Sequence, residues 1–191
     1  MRHFSLRLIF YLRRPGPLLV IKLKRPSSRD EDAFLRAVHR SRSLHKGLVS
    51  PPATPEKYQR FVRSLRRRNC VGFLVTLKDT GDLVGVVDVN EIVRGHFQSA
   101  YLGYYAFMPH AGCGHMRQGI QKVIAYCFKD LKLHRLEANI QPQNSRSIAL
   151  VESLGFEEEG YSPRYLKICG KWRDHERWAI LKERWQRPGT A

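Results

Sequence analysis

Two glycines, Gly112 and Gly114, lie where a segment with strand character meets a segment with helical spacing. The first N–H groups of a helix lack partners within the helix and attract anions, and glycines let the backbone approach an anion closely. The pattern predicts an anion-binding turn, although an ordinary strand–turn–helix connection has the same pattern. Apolar residues then recur at intervals of three and four, which predicts one buried helix face. That face consists of Ile120, Val123, Ile124, Cys127, Phe128 and Leu131.

The spacing of these glycines excludes two common phosphate-binding motifs. From Gly112 onward the chain does not follow G-x-G-x-x-G, and no acidic residue lies at the distance expected for dinucleotide binding. It does not follow G-x-x-x-x-G-K-S/T either, so the turn is not a P-loop.

A second segment whose side chains could take part in chemistry begins at Asn144, within NSRSIALVESLGF. Asparagine at a helix start has a structural explanation, because its side chain accepts a hydrogen bond from an N–H group of the first turn. Asn144 and Ser147 could also present their polar atoms to a ligand, and the sequence leaves both roles open.

Together the two segments resemble the two signatures of the GNAT acetyltransferases. The first signature, Gln/Arg-x-x-Gly-x-Gly/Ala, lies over Ala111 to Met116, and the second combines N-x-x-S with a later leucine-glycine-phenylalanine. Within that family, the runs VVDVNEIVRG, YLGYYAF and YLKICGKWRDH are similar to ribosomal-protein-alanine N-acetyltransferases. The resemblance extends over residues 17–181.

The resemblance implies transfer of an acetyl group from acetyl-CoA to an amine. It implies that the glycine turn holds the pyrophosphate, and that the strand before it parts from the next strand so that its amides bind pantetheine and polarise the acetyl carbonyl. Ser147 would reprotonate the leaving thiolate, with Tyr165 as the competing acid. The predicted catalytic residues are Ser147 and Tyr165. The predicted cofactor-binding residues are Phe107, Met108, Ala111, Gly112, Cys113, Gly114, His115, Met116 and Asn144, and no metal ligand is predicted.

A general base is harder to identify. Relatives of this type often carry an acidic residue before the tyrosine, where this chain has Arg164. Glu91, Glu137 and Asp174 are candidates, each with a surface ion pair as the simpler explanation. An α-amino group has a pKa of about 7.7–8.0, whereas a lysine side chain has one of about 10.4. An N-terminal amine is therefore partly neutral at cellular pH and depends less on a general base than a lysine does.

The charge of the chain is strongly positive and unevenly distributed. The net charge is +17, and residues 1–70 contain eighteen Lys and Arg against four Asp and Glu. This asymmetry predicts attraction to a polyanion such as RNA or the ribosome, and a solvated basic surface is the alternative. In particular, Arg63, Arg66, Arg67 and Arg68 are expected on the outer face of a helix that begins near Thr54.

Composition narrows the class of protein. Four widely spaced cysteines form no C-x-x-C pair, so neither a disulfide framework nor a zinc site is expected, and a reducing cytoplasm is favoured. The apolar stretches of the first residues are interrupted by arginines, so no membrane span is expected there. A monomer and a homodimer are both compatible with the sequence.

The elements that must position these residues alternate along the chain. The fold class expected is α/β (α+β), a single GNAT-like domain in which about four helices cover a mixed, mostly antiparallel sheet of six to seven strands. We assign residues 1–16 to an N-terminal extension, 17–185 to the acetyltransferase domain and 186–191 to a C-terminal tail. The last two strands are expected to be joined around Cys169 and Gly170.

The leading hypothesis is an acetyl-CoA-dependent N-acetyltransferase that acts directly, in a ternary complex, on the N-terminus of a protein. The resemblance implies a ribosomal protein as that acceptor. One alternative is the same chemistry on a small amine such as a polyamine or an aminoglycoside, for which the chain has few acidic residues. The other is a degenerate GNAT module that binds RNA without catalysis.

Overall fold

A computed structural model describes residues 21–185, so the predicted extension at 1–16, the start of the domain at 17 and the tail at 186–191 lie outside the described residues. Seven strands form one sheet in the order β1-β2-β3-β4-β5-β7-β6. They are β1 (Ile21–Lys24), β2 (Val71–Leu77), β3 (Leu83–Val93), β4 (Ser99–Ala106), β5 (Arg135–Ile140), β6 (Glu157–Ile168) and β7 (Lys171–Leu181).

Neighbouring strands are antiparallel everywhere in this sheet except between β4 and β5, which are parallel. The parallel pair follows from chain connectivity, because a helix carries the chain from the end of β4 back to the start of β5. The predicted fold class, a mixed and mostly antiparallel sheet covered by helices, is therefore confirmed.

Five α-helices lie in the described part of the chain, after a 3₁₀ turn at Ser28–Asp30. The sequence predicts one helix from Ser27 to Leu44, but the helix is interrupted at Ser41, whose hydroxyl donates to the carbonyl of Ala37 at 2.7 Å. Such a local side-chain bond competes with helix continuation. The helices are α1 (Glu31–Arg40), α2 (Arg42–His45), α3 (Pro55–Ser64), α4 (His115–Lys129) and α5 (Ser145–Glu152).

Helix α3 begins as predicted but ends early. The Thr54 side chain accepts from the Lys57 N–H at 3.4 Å and caps the first turn. The last turn is closed by the Ser64 hydroxyl, which donates to the carbonyl of Phe61 at 2.7 Å. Arg66, Arg67 and Arg68 consequently lie in the turn after α3, so the prediction that they belong to its outer face is wrong.

Helix α4 covers one face of the sheet, and the predicted apolar face is buried from Ile120 to Phe128, whereas Leu131 lies beyond the helix and is half-buried. Gly119 permits close packing, because a Cβ atom there would lie 2.8 Å from the Val75 side chain. Helices α1 and α3 cover the opposite face, where Phe34 and Tyr58 are fully buried. No helix among residues 21–185 is both long enough and apolar enough to cross a membrane.

Strand β3 carries a carboxyl group into the face covered by α1 and α3. The Oδ1 atom of Asp88 is buried and has no hydrogen-bond partner among the described residues. Burial raises the pKa of Asp88 from 3.8 to about 7, because the charged form is poorly solvated. Between about pH 4 and 7 the folded protein keeps the Asp88 proton, whereas the unfolded chain releases it. The free energy of unfolding therefore falls as the pH rises from about 4 through 7.

We expect Asp88→Asn to raise the free energy of unfolding at pH 8 by about 1–3 kcal/mol, because it removes a buried charge. The gain should shrink toward pH 5, where the parent carboxyl is already neutral. Urea unfolding of both proteins at the two pH values measures the difference. The same pH dependence in parent and variant would contradict the assignment.

Candidate functional site

The two parallel strands part soon after they meet. Strands β4 and β5 pair only from Ser99 with Arg135 to Tyr101 with Glu137. Beyond that point β4 runs on over residues 102–106 and β5 over residues 138–140. We call the opening between these two ranges the β4–β5 gap. Its edges carry backbone groups that sheet pairing does not use, as the sequence resemblance implies.

The gap exposes a different amide from those predicted. The Phe107 N–H donates to the carbonyl of Val84 at 2.7 Å, and the Met108 N–H donates to the Ser41 hydroxyl at 2.9 Å. Both predicted amides are therefore already bonded inside the protein. Because backbone groups of successive strand residues point to opposite sides, the N–H of Ala106 points toward the gap.

The other polar group of Ala106 is held by a histidine from α2. His45 Nε2 lies 2.8 Å from the Ala106 carbonyl oxygen, and since a carbonyl only accepts, this nitrogen carries the proton. Burial lowers the pKa of His45, although its bond to Ala106 acts in the opposite sense, so the ring is neutral at pH 7. His45 thereby fixes the orientation of the residue that offers its N–H to the gap.

The glycine loop, residues 111–116, follows β4 and leads into α4. Gly112 and Gly114 have φ angles of 82° and 78°, a region that favours glycine. A Cβ atom at either position would have no described heavy atom within 4 Å, so the space in front of both is open. Gly114 is the N-cap of α4, no side chain caps the helix and no acidic residue lies in its first turn. The N–H groups there are available to an anion.

Side chains of the loop contribute less than its backbone. His115 and Met116 are buried, with 6% and 7% of their surface exposed. Burial, and secondarily His110, lowers the pKa of His115, which keeps its ring neutral. Cys113 is exposed and a free thiol. Arg117, which could otherwise reach an anion, donates to the Ser153 carbonyl at 3.0 Å.

Asn144 caps α5, as the structural explanation of the N-x-x-S pattern requires. Its Oδ1 accepts from the Ser147 N–H at 3.3 Å. This leaves the Ser147 hydroxyl free to face another element, and Ser147 Oγ lies 2.6 Å from the Tyr104 hydroxyl. Tyr104 belongs to β4 and Ser147 to the helix that follows β5, so this hydrogen bond connects the two sides of the gap.

Tyr104, like Ala106 and His45, is a site residue that the sequence did not indicate. Burial raises its pKa to about 12, and the bond to Ser147 opposes this only in part. The phenol therefore keeps its proton at neutral pH and can serve as a hydrogen-bond donor. Tyr104 lies in the aromatic strand YLGYYAF, where tyrosines commonly serve only to pack the core. Nothing in the sequence therefore distinguishes it as a site residue.

Tyr165 lies on the other face of the sheet. The pKa of Tyr101 is raised to about 12, first by burial and then by a hydrogen bond with the Tyr165 side chain, so the two hydroxyl groups lie close together. Tyr165 also contacts the buried His175, with ring centroids 6.2 Å apart. Tyr101 and Tyr104 are three residues apart on one strand and point to opposite faces. Tyr165 and Ser147 are therefore not brought together.

The three carboxylates considered as bases already have partners. Glu137 pairs with Arg135 at 2.8 Å, and Glu91 accepts from Asn69 at 3.3 Å. The pKa of Asp174 is lowered by the Tyr161 hydroxyl and then by the Arg164 N–H. Within residues 21–185, no group of His, Cys, Asp and Glu side chains is arranged to hold a metal ion.

Loops enclose the end of the gap. Gln141 donates to the carbonyls of Gly47 and Leu48, at 3.2 and 3.3 Å, and so holds the loop between α2 and α3 against the end of β5. Ser50 of this loop lies 3.1 Å from the sulfur of Cys169, at the tip of the β6–β7 hairpin.

A cavity of about 690 Å³ lies beside the residues that follow β4. Its lining contains two cationic side chains and no acidic one. The lining residues are Arg40, Ser43, Leu44, Met108, Pro109 and Arg146.

Comparison with known proteins gives a family and several relatives. The model of the Acetyltransferase (GNAT) domain matches residues 21–157. The chain is 39% identical over 107 residues to the ribosomal protein uS5-alanine N-acetyltransferase of Escherichia coli, an alignment that covers 56% of this chain and 55% of that protein. It is 31% identical over 104 residues to a spermidine N(1)-acetyltransferase of Vibrio cholerae, with 54% and 60% covered.

Among solved structures, Mycobacterium smegmatis RimJ in complex with CoA-disulfide superposes with a TM-score of 0.79 at 26% identity. That superposition covers 85% of this chain and 82% of RimJ. By sequence, the chain spans only a little over half the length of the curated relatives it matches.

Proposed function

Since the chain belongs to the GNAT family of acetyltransferases, we propose that it transfers the acetyl group of acetyl-CoA to the N-terminal α-amino group of a protein. The observation that carries this proposal is the β4–β5 gap, with the Ala106 N–H on one edge and the Tyr104–Ser147 hydrogen bond across it. A thioester carbonyl in this gap would meet a fixed donor, and its sulfur would meet a hydroxyl.

The residues present fit acetyl-CoA. The open space at Gly112 and Gly114, before an uncapped helix N-terminus, suits a pyrophosphate group. The unpaired strand edge suits the amides of pantetheine. Ala111, Cys113, His115 and Met116 would contribute through their backbone, because two of these side chains are buried and none is cationic when His115 is neutral.

Acetyl-CoA supplies a carbonyl carbon that bonds to the amine nitrogen as its carbon–sulfur bond breaks, while the amine loses a proton and the sulfur gains one. The Ala106 N–H stabilises the negative charge that develops on the carbonyl oxygen, and His45 holds that peptide group in place. The Ser147 hydroxyl, supported by Tyr104, donates a hydrogen bond to the departing sulfur. Removing such a donor typically costs about 100- to 1,000-fold in turnover.

The choice of a protein N-terminus over a polyamine rests on charge. A polyamine acceptor needs carboxylates, and the cavity beside the gap is lined by Arg40 and Arg146 without an acidic residue. On the other face, Arg135 already pairs with both Glu137 and Glu159. An α-amino group is partly neutral at cellular pH, so it can react without a dedicated base. The likeness to a uS5-alanine N-acetyltransferase supports a ribosomal protein as the acceptor, which implies action in the cytoplasm.

The test is acetyl transfer from carbon-13-labelled acetyl-CoA to a panel of acceptors. We expect label on the α-amino group of peptides that begin with alanine or serine, and at least tenfold less on spermidine. Peptides with a blocked N-terminus and an internal lysine are the matched control, because a lysine amine is almost fully protonated at pH 7.5. Mass spectrometry of the products locates the label.

Two outcomes would contradict the proposal. Label on spermidine alone would make the chain a small-amine acetyltransferase. Tight acetyl-CoA binding with no label on any acceptor would favour a module without catalytic activity.

A further inference from the structure

A second concave site lies at the opposite end of the sheet from the β4–β5 gap. It is a groove of about 720 Å³ between α3, the end of α4 and the strand ends that meet there. Such a volume is within the range of roughly 300–1,000 Å³ that is typical of ligand sites. We call it the arginine groove, after Arg25, Arg63, Arg66, Arg68 and Arg94.

The charged side chains that line the arginine groove are all cationic. Five arginines line it and no acidic residue does. None of these five forms an ion pair within residues 21–185, whereas Arg135 and Arg184 elsewhere in the chain do. The carboxyl of Asp88 lies below the floor, where a Cβ on Gly72 would be 2.6 Å from its Oδ1, and its pKa of about 7 leaves it partly neutral.

Two of the arginines are already held in fixed positions beside α4. The Arg25 guanidinium stacks 4.3 Å from the centre of the Phe73 ring and donates to the Tyr126 hydroxyl at 3.1 Å. Arg94 donates to the carbonyl of Leu131. A guanidinium that is fixed before binding loses less conformational freedom when it contacts a phosphate. Its planar face is also a surface on which a base can stack.

The remaining surface of the groove is partly apolar. Val62 and Leu65 on the α3 side, and Ile92 and Leu131 on the α4 side, are half-buried and line the same cavity. The combination of cationic and apolar contacts suits a flexible polynucleotide strand, which presents phosphates and unstacked bases together. From these observations we propose that the arginine groove binds a single-stranded segment of RNA.

The groove is far from the proposed acetylation site. Helix α4 has 15 residues and begins at the glycine loop, while Tyr126 near its other end lines the groove. At about 1.5 Å per residue the helix is about 22 Å long. RNA in the groove therefore leaves the β4–β5 gap open, and the two sites can be tested separately. If the acceptor peptide belongs to a protein that is bound to RNA, the arginine groove would bind that RNA while the β4–β5 gap receives the N-terminus of the peptide.

The experiment measures binding of fluorescein-labelled oligo(U), twelve nucleotides long, by anisotropy over a salt series. The parent should bind with an affinity that falls steeply with salt, because each neutralised phosphate releases counterions. Arg63→Gln, Arg66→Gln and Arg68→Gln combined should weaken binding about tenfold or more at ~0.15 M salt. The log–log salt slope should fall by about 2, since each phosphate contact with a single strand contributes about 0.7.

The matched control removes the same charge elsewhere. Arg36→Gln, Arg42→Gln and Lys122→Gln combined affect exposed side chains outside the groove, and this variant should bind oligo(U) within about threefold of the parent. Equal weakening by both triple variants would overturn the groove and leave only a general effect of charge. Absence of oligo(U) binding by the parent would overturn RNA as the partner. Poly-glutamate that competes as well as oligo(U), and loses affinity in the groove variant, would identify an acidic protein instead.

Discussion

Replacing Tyr104 with phenylalanine is expected to lower the turnover of acetyl transfer by about 100-fold and to leave the affinity for acetyl-CoA within about threefold. The change removes one oxygen atom and keeps the ring that fills the space between β4 and α5. It deletes the partner that lies 2.6 Å from Ser147 Oγ and orients that hydroxyl toward the gap. Single-turnover kinetics with labelled acetyl-CoA, beside calorimetric titration, separates the two quantities.

Ser147→Ala should have a similar effect, and the double variant should lose little more than either single variant. Two groups that act as one hydrogen-bonded unit show this non-additivity. Tyr126→Phe is the control, because it also removes a tyrosine hydroxyl, one that accepts from Arg25 in the arginine groove. Normal turnover in Tyr104→Phe would exclude the pair from the chemistry. A fall in acetyl-CoA affinity equal to the fall in turnover would show that the pair only supports the fold.

Gly114→Val is expected to weaken acetyl-CoA binding by more than tenfold. Gly114 has a φ of 78°, which a β-branched residue resists at a cost of about 1–3 kcal/mol. Relief of this strain turns the first N–H groups of α4 away, and the added side chain extends into the space proposed for the pyrophosphate. Calorimetry on the folded variant measures the affinity.

Gly95→Val provides the matched control for this substitution. Gly95 also has a positive φ, 69°, and open space around a Cβ, but it lies in the loop between β3 and β4, away from the glycine loop. Its variant should lose comparable stability and keep its affinity for acetyl-CoA. Unchanged affinity in Gly114→Val would remove the glycine loop from the binding site.

Local patterns predicted the elements whose signals are local. The start of α3 near Thr54, the buried face of α4 and the glycine turn before it all follow from residues within a few positions of one another. The helix break at Ser41 and the early end of α3 were not predicted. At both places a serine hydroxyl bonds to a nearby carbonyl, and the sequence pattern does not show whether such a bond or the continued helix is more stable.

The chemistry of the site depended more on contacts distant in sequence. Phe107 and Met108 could not be excluded as amide donors without knowing that Val84 and Ser41 accept from them. Nor could the Ser147–Tyr104 bond be predicted, since it joins residues 43 positions apart. Tyr165 was selected by resemblance, and its neighbours Tyr101 and His175 are likewise distant from it in sequence.

The central claim is that acetyl-CoA lies in the β4–β5 gap with its phosphates at the glycine loop. Titration of nitrogen-15-labelled protein with acetyl-CoA, followed by amide NMR, tests this position residue by residue. The largest changes in amide chemical shift are expected at Ala106, Gly112 and Gly114, with little change at Gly72 in the arginine groove. Changes confined to the arginine groove, or no change at Ala106 at saturating acetyl-CoA, would contradict that claim.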